Sequence, residues 1–258
     1  MKVVILCGGK GSRIRDAAED MPKPLIPIGG KPIVWHIMKY YAKAGLTDFV
    51  LCLGYKSEKF KDFFLNYHAK IYDFTIDLGK PNRLMFHEPF NESDWRVTLV
   101  DTGDDTMTAS RLRKVRRYLE GEEAFCLTYG DGLSDVDIPG TLEHHRKAGK
   151  IMTITAVHTC GRFGEVRVSD GAVKTFSEKP HRSRERINGG FMVVDNRRVW
   201  EHLGEGDDLV LETNLLAPLS EIGELAAYEH NGFWQCMDSP RELDMLNALW
   251  ASGKAPWK

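Results

Sequence analysis

The amino-terminal stretch Leu6-Cys-Gly-Gly-Lys-Gly-Ser-Arg13 holds the densest group of phosphate-binding chemistry in the chain. It follows the apolar run Val3–Leu6 and gathers Gly8, Gly9 and Gly11 around a lysine; the block Pro22-Lys23-Pro24 comes soon after. Glycines at a strand end let backbone N–H groups approach a polyphosphate closely. Arg13 and Lys23 offer the fixed positive charge that phosphates need. The prolines around Lys23 restrict its backbone and so fix where the ammonium projects. The segment proposes a nucleoside triphosphate site, although the glycines alone suit a tight strand-to-helix turn equally well. It is not a Walker A loop, lacking the Gly-Lys-Ser/Thr triplet, and its glycine spacing is not that of the dinucleotide fingerprint.

Two carboxylates are candidates for a hard cation such as Mg²⁺, which takes one or two carboxylates and completes its shell with phosphate oxygens and water. Asp131, in Tyr129-Gly-Asp-Gly132, ends an apolar strand, and Asp238 lies in Phe233-Trp-Gln-Cys-Met-Asp238. Singly, each reads equally well as a turn or helix-cap residue. Together on one ion they make a metal site. Glu178-Lys179-Pro180 and Asn188-Gly189-Gly190 could bind sugar hydroxyls and a phosphate, and both are also ordinary turn chemistry. Gly161-Arg-Phe-Gly164 permits close backbone approach or simply joins two strands. The nine histidines show no metal-ligand spacing. No Ser/His/Asp arrangement supports covalent acyl chemistry. Tyr228, Phe233 and Trp234 read as core.

The elements that must position these groups alternate over the first half. Strands are expected at Lys2–Leu6, Phe49–Leu53 and Ala124–Tyr129, and helices at Ile33–Ala44, Ser57–His68 and Thr108–Leu119. That order predicts an α/β fold with a mainly parallel sheet and helices on both faces. Ligands then bind at the carboxyl ends of the strands, where the Gly8 loop and Asp131 fall. Short strands at Met152–His158, Glu165–Val168, Ala172–Ser177 and Gly190–Val194 predict antiparallel additions, and a helix over Ser239–Trp250 closes the chain. No linker or repeat interrupts the sequence. One domain over residues 1–258 is expected, with a nucleotide part to about residue 135 and a sugar-phosphate part beyond it.

The chain has 258 residues and a net charge of −2, so neither nucleic acid nor an anionic membrane is favoured as partner. The run Arg111-Leu-Arg-Lys-Val-Arg-Arg117 reads as a solvated helix face balanced by Glu120, Glu122 and Glu123. No apolar stretch reaches the roughly 18 residues that span a bilayer. Five dispersed cysteines without an export signal point to reduced thiols and a cytoplasmic location.

Taken in order, GGxGxR, PKP, GGKP, YGDG, EKP, NGG and FWQxMD resemble the sugar-1-phosphate nucleotidyltransferases over nearly the whole chain. Gly29–Met38, Val97–Gly103, Gly161–Gly164, Gly232–Gln235 and Gly253–Trp257 resemble the branch of that family that transfers a cytidylyl group. The resemblance implies a nucleotide-diphospho-sugar transferase fold, a Rossmann-like mixed sheet with a small antiparallel β addition. It implies a nucleotide site at Leu6, Gly8, Gly9, Gly11, Ser12, Arg13, Lys23, Gly103, Thr128 and Gly130, with CTP as donor. Asp131 and Asp238 would ligate Mg²⁺, while Arg13, Lys23 and Asp131 would be catalytic. Glu178, Lys179, Asn188, Gly189 and Gly164 would hold a sugar 1-phosphate, and the protein would be a homo-oligomer, a trimer or hexamer. The chain departs from the family at Cys7 (usually Ala), Ser12 (usually Thr), Ile14-Arg-Asp-Ala-Ala, Glu165 and Glu212-Thr-Asn-Leu215. Transfer to another phosphorylated acceptor, use of another nucleotide, and a silent nucleotide-binding regulatory module therefore stand as alternatives.

Overall fold

Val3–Leu6 (β1) is apolar at every position because both of its faces are covered. Val3 and Ile5 pack with Ile33, Ile37, Met38 and Tyr41, whereas Val4 and Leu6 pack with Ala109, Leu112 and Val115. All four β1 residues are buried. A period of two thus divides one strand between two layers of helix. Each large aliphatic or aromatic side chain buried in these layers contributes about 1.5–3 kcal/mol. A computed structural model of the chain describes residues 1–11, 21–79, 83–87, 91–158, 165–169, 172–177 and 185–258, giving only the backbone for most of the strands at 165–169 and 172–177.

Along the chain, β1 leads to a short hairpin, Pro27–Ile28 (β2) and Lys31–Pro32 (β3), then to helix Ile33–Lys43 (α1) and strand Asp48–Leu53 (β4). Helices Ser57–Leu65 (α2) and Tyr67–Ile71 (α3) precede a second hairpin, Phe74–Ile76 (β5) with Leu84–Phe86 (β6). Strand Arg96–Asp101 (β7), helix Thr108–Lys114 (α4), strand Ala124–Tyr129 (β8), strand Gly132–Ser134 (β9) and helix Ile138–Ala148 (α5) follow. The second half adds strands Met152–His158 (β10), Glu165–Ser169 (β11), Ala172–Ser177 (β12), Arg186–Asn188 (β13) and Met192–Asp195 (β14). Helix Ala217–Glu221 (α6), strands Leu225–His230 (β15) and Trp234–Cys236 (β16) and helix Pro240–Ala251 (α7) complete it.

Among the described residues the central sheet has eight strands, running β13-β10-β14-β8-β1-β4-β7, with β15 on the other edge of β10. β8, β1, β4 and β7 are mutually parallel. β14 pairs antiparallel with both β8 and β10. The result is the mixed α/β sheet expected from the sequence. The register aligns Leu6 with Cys52 and with Tyr129, and Leu53 with Asp101, so four strands end along one rim.

Three elements differ from the sequence reading in instructive ways. The predicted helix 57–68 breaks at Asn66, whose side-chain amide donates to the Asp62 carbonyl at 3.0 Å and stops α2. The predicted helix 108–119 tightens into a 3-10 turn over Arg116–Leu119. Helix α5, not anticipated, is set by local signals: Asp137 accepts from the Gly140 N–H at 3.0 Å, and Gly149 stops the helix at φ +62°.

Candidate active site

The carboxyl ends of the parallel strands enclose a cavity of about 370 Å³, lined among others by Leu6, Gly8, Gly9, Gly11, Lys23, Gly130, Asp131 and Asp238. Two residues distant in sequence meet here because of one short ladder. β16 pairs antiparallel with β9, setting Cys236 opposite Gly132. The Met237 N–H then donates to the Asp131 carbonyl at 2.9 Å. Asp131, just before β9, and Asp238, just after β16, therefore leave the ladder side by side. The Lys23 ammonium donates to Asp131 Oδ2 at 2.6 Å and also to Asp238 Oδ1.

Lys23 opens a single 3-10 turn, Lys23–Leu25, in which the Leu25 N–H donates to the Pro22 carbonyl at 2.8 Å. The turn presses Pro24 against Gly130. A β-carbon on Gly130 would lie 3.0 Å from Pro24 Cγ, 3.0 Å from the Leu6 carbonyl and 3.1 Å from Cys7 Sγ. Any side chain there would push against all three, so glycine keeps the approach close and Lys23 beside Asp131. Burial opposes the charge on Lys23, but the two aspartates outweigh it and raise its pKa above the ordinary lysine value. Cys7, a departure from the family pattern, is buried in the cavity wall, and burial pushes its thiol well up.

Two carboxylate oxygens within hydrogen-bonding distance of one nitrogen are close enough to share a cation. The donor set suits a hard ion that draws its remaining ligands from phosphate and water. Among the described residues no group of three or more His, Cys, Asp or Glu forms a self-sufficient metal cage.

The glycines divide the work differently from the sequence reading. Gly9 has no atom within 4 Å of a hypothetical β-carbon, whereas a β-carbon on Gly8 would fall 2.2 Å from the Arg111 guanidinium carbon. Gly8 is small to admit Arg111, and Gly9 is the open one. Gly11 takes φ +57° and passes over Lys23 Cβ. Gly103 lies outside the lining, its carbonyl accepting from Arg111 Nη1 at 2.8 Å. Thr128 is 1% exposed and lies inside the sheet against Gly190 and Tyr41, not on the cavity. Asn188 and Gly189 come to the same strand end. The Trp234 indole donates to the Gly189 carbonyl at 2.7 Å, and a β-carbon on the adjoining Gly190 would touch the Tyr129 ring. Ser12, Arg13, Gly164, Glu178 and Lys179 lie outside the described residues.

Some of the lining was not foreseen. Thr106, Met107, Thr108 and Arg111 form one wall, and Tyr129, also on the lining, donates its hydroxyl to Glu212 on a π-helical turn, Glu212–Leu216. The expectation that the basic run faces solvent fails at Arg111, which is 4% exposed. The signal was present: Arg111 stands four residues before Val115 and eight before Leu119, on the buried stripe of the helix.

A nucleotidyl transferase is the class that this fold and strand-end cavity define. The family's sequence profile matches residues 2–203, and the chain belongs to the nucleotidyl transferase family. It is 45% identical over 258 residues to glucose-1-phosphate cytidylyltransferase of Salmonella typhi, covering 100% of this chain and 99% of that protein. It is 42% identical, over 100% of this chain and 99% of the relative, to a probable glucose-1-phosphate cytidylyltransferase of Bacillus subtilis. Among solved structures, HddC from Yersinia pseudotuberculosis superposes with a TM-score of 0.69 at 21% identity, covering 96% of this chain and 99% of that one. That likeness shows the fold. Among the described residues no helix is long and apolar enough to cross a membrane.

Proposed function

We propose that the chain transfers the cytidylyl group of CTP to glucose 1-phosphate, giving CDP-glucose and pyrophosphate. The observation that carries the chemistry is the meeting of Asp131, Asp238 and Lys23 at the end of β8. The donor and acceptor rest on the full-length similarity to glucose-1-phosphate cytidylyltransferases. A phosphate oxygen of the sugar phosphate attacks the α-phosphorus of CTP in line, and pyrophosphate leaves. The nucleophile is ionised at neutral pH, so no general base is needed. Catalysis is positioning and charge neutralisation.

Asp131 and Asp238 would hold Mg²⁺, which supplies neutralisation of the triphosphate's charge. Lys23 turns from the carboxylates to the reacting phosphates. Gly9 and Gly11 give the triphosphate room against the backbone, and Ser12 and Arg13 continue that contact. Asn188 and Gly189 would bind the sugar phosphate near Tyr129, and the family resemblance assigns Gly164, Glu178 and Lys179 to the same substrate. We further propose that the chain works as one domain in a cytoplasmic homo-oligomer.

Pyrophosphate release is to be measured with CTP, UTP, ATP and GTP crossed with several hexose 1-phosphates and other phosphorylated acceptors. CTP with glucose 1-phosphate is expected to give the highest kcat/KM. A higher value for another pairing overturns the substrate assignment, and no release with any pairing leaves a silent nucleotide-binding module as the better account.

A further inference from the structure

Phe191 is a buried aromatic residue with a left-handed backbone, φ +48°, and it follows Gly190 at φ +77°. A bulky side chain rarely tolerates that conformation. The pair lies in a bulge between β13 and β14. Asn188 stands opposite Ala156 of β10, and Val193 stands opposite Thr153. Residues 189–192 therefore face only Ile154 and Thr155. Such bulges gather beside active sites, where they re-aim a side chain. The Gly189 N–H donates to the Thr155 carbonyl at 2.8 Å, and the Thr155 hydroxyl donates to the Phe191 carbonyl at 2.8 Å. The Phe191 ring stacks on Tyr41 with centroids 5.9 Å apart. The Tyr41 hydroxyl is buried there against Thr128 and makes no well-formed hydrogen bond. Backbone strain and a poorly satisfied hydroxyl thus share one spot, and both persist only where the surroundings enforce them.

The bulge sets what Asn188 offers. The Gly190 N–H donates to Asn188 Oδ1 at 3.1 Å, which commits that oxygen. The side-chain amide nitrogen is left to donate, and it reaches the Tyr129 hydroxyl. Tyr129 in turn donates to Glu212. The direction of every bond in this chain is fixed, because the backbone N–H at its start can only donate. Asn188 therefore presents N–H groups, the chemistry that a phosphate or sugar oxygen needs. The ladder between β14 and β8 stops at Met192 and Leu127, so the bulge leaves Thr128 and Tyr129 unpaired on that side. We propose that Phe191 is a positioning residue for the sugar phosphate. Its left-handed backbone, held by Thr155 and Tyr41, turns Asn188 and Gly189 to the strand-end rim. The nucleotide side is built on other elements, the turns that follow β1.

This role rests on the nucleotidyl-transfer reading and is tested apart from it. Phe191→Leu, Thr155→Val and Thr155→Ser are to be compared with the wild-type protein in steady-state pyrophosphate release, and in direct binding of CDP-glucose and CTP by calorimetry. Phe191→Leu removes the stack that holds the strained backbone. Thr155→Val removes one hydroxyl and keeps nearly the same shape. In both, KM for glucose 1-phosphate and Kd for CDP-glucose are expected to rise about tenfold. KM and Kd for CTP are expected to stay within about threefold. Thr155→Ser restores the hydroxyl and recovers most of the sugar-phosphate affinity. Side chains that served stability alone would lower Tm and move neither KM selectively. The proposal is overturned if both KM values rise together, if folded Phe191→Leu and Thr155→Val keep the wild-type KM for glucose 1-phosphate, or if Thr155→Ser is as defective as Thr155→Val. Should Phe191→Leu not fold, the decision passes to the two Thr155 variants. A wild-type protein that releases no pyrophosphate contradicts the transfer reading, and the two binding comparisons then decide the role of Phe191.

Discussion

Lys23→Met is expected to lower kcat for pyrophosphate release by about 10²–10³-fold, a barrier increase of about 3–4 kcal/mol, at saturating nucleotide and sugar phosphate. The side chain is only 12% exposed and is held between Asp131 and Asp238. Its raised pKa keeps it charged at neutral pH. Once turned to the phosphates, a largely desolvated cation stabilises charge developing on their oxygens. The variant keeps the apolar stem and removes the ammonium with its two bonds to Asp131 and Asp238. A change confined to KM would mean that Lys23 contributes equally to ground state and transition state. A loss of less than about tenfold contradicts the assignment of this lysine to the reacting phosphates.

The second large effect is on stability in acid. His36 is 2% exposed, and burial pulls its pKa down from 6.5 to about 4. Its Nε2–H donates to the Ile28 carbonyl at 2.8 Å, and Trp257 donates to its Nδ1 at 3.4 Å. Both ring nitrogens are therefore committed to the neutral form. His36 joins the β2–β3 hairpin to the carboxyl-terminal tail, with the Trp250 ring edge-on at 4.6 Å. Because the folded-state pKa is depressed, the unfolded chain takes up the proton first. The stabilisation is complete above about pH 6.5 and is lost as the pH falls toward 4. By pH 4.5 the loss amounts to about 2–3 kcal/mol. Urea unfolding at pH 7.5 and 4.5 should show His36→Gln less stable than wild type at the higher pH and less sensitive to acid by that amount. An identical acid sensitivity in both proteins would remove His36 from the account.

The parallel core was legible because β1, β4 and β8 are continuous apolar runs ending in glycine, and such runs belong to strands covered on both faces. Strand β7 was harder to see. It lies at the sheet edge, its residues Arg96 and Asp101 are exposed, and its pattern carries no clear period. Strand β15 mixes exposed and half-buried positions for the same reason. The site was legible as residue types but not as a constellation. From the residues alone Asp131 and Asp238 each read equally as metal ligand or turn residue, and only the family resemblance paired them, because a pairing of three residues a hundred positions apart leaves no local trace. Arg111 was misread because a run of five basic residues in seven looks solvated. One of the five falls on the apolar stripe, and burial there is tolerated because strand-end carbonyls wait for it.

The central claim is that Asp131 and Asp238 act as a pair on a divalent cation beside Lys23 in cytidylyl transfer. The most direct measurement is chromatographic quantification of CDP-glucose and pyrophosphate formed from CTP, glucose 1-phosphate and Mg²⁺ by the wild type, Asp131→Asn and Asp238→Asn. Equimolar products are predicted for the wild type, with a loss of at least about a hundredfold in each variant. Wild-type rates in either asparagine variant, or no CDP-glucose from the wild-type protein, would contradict it.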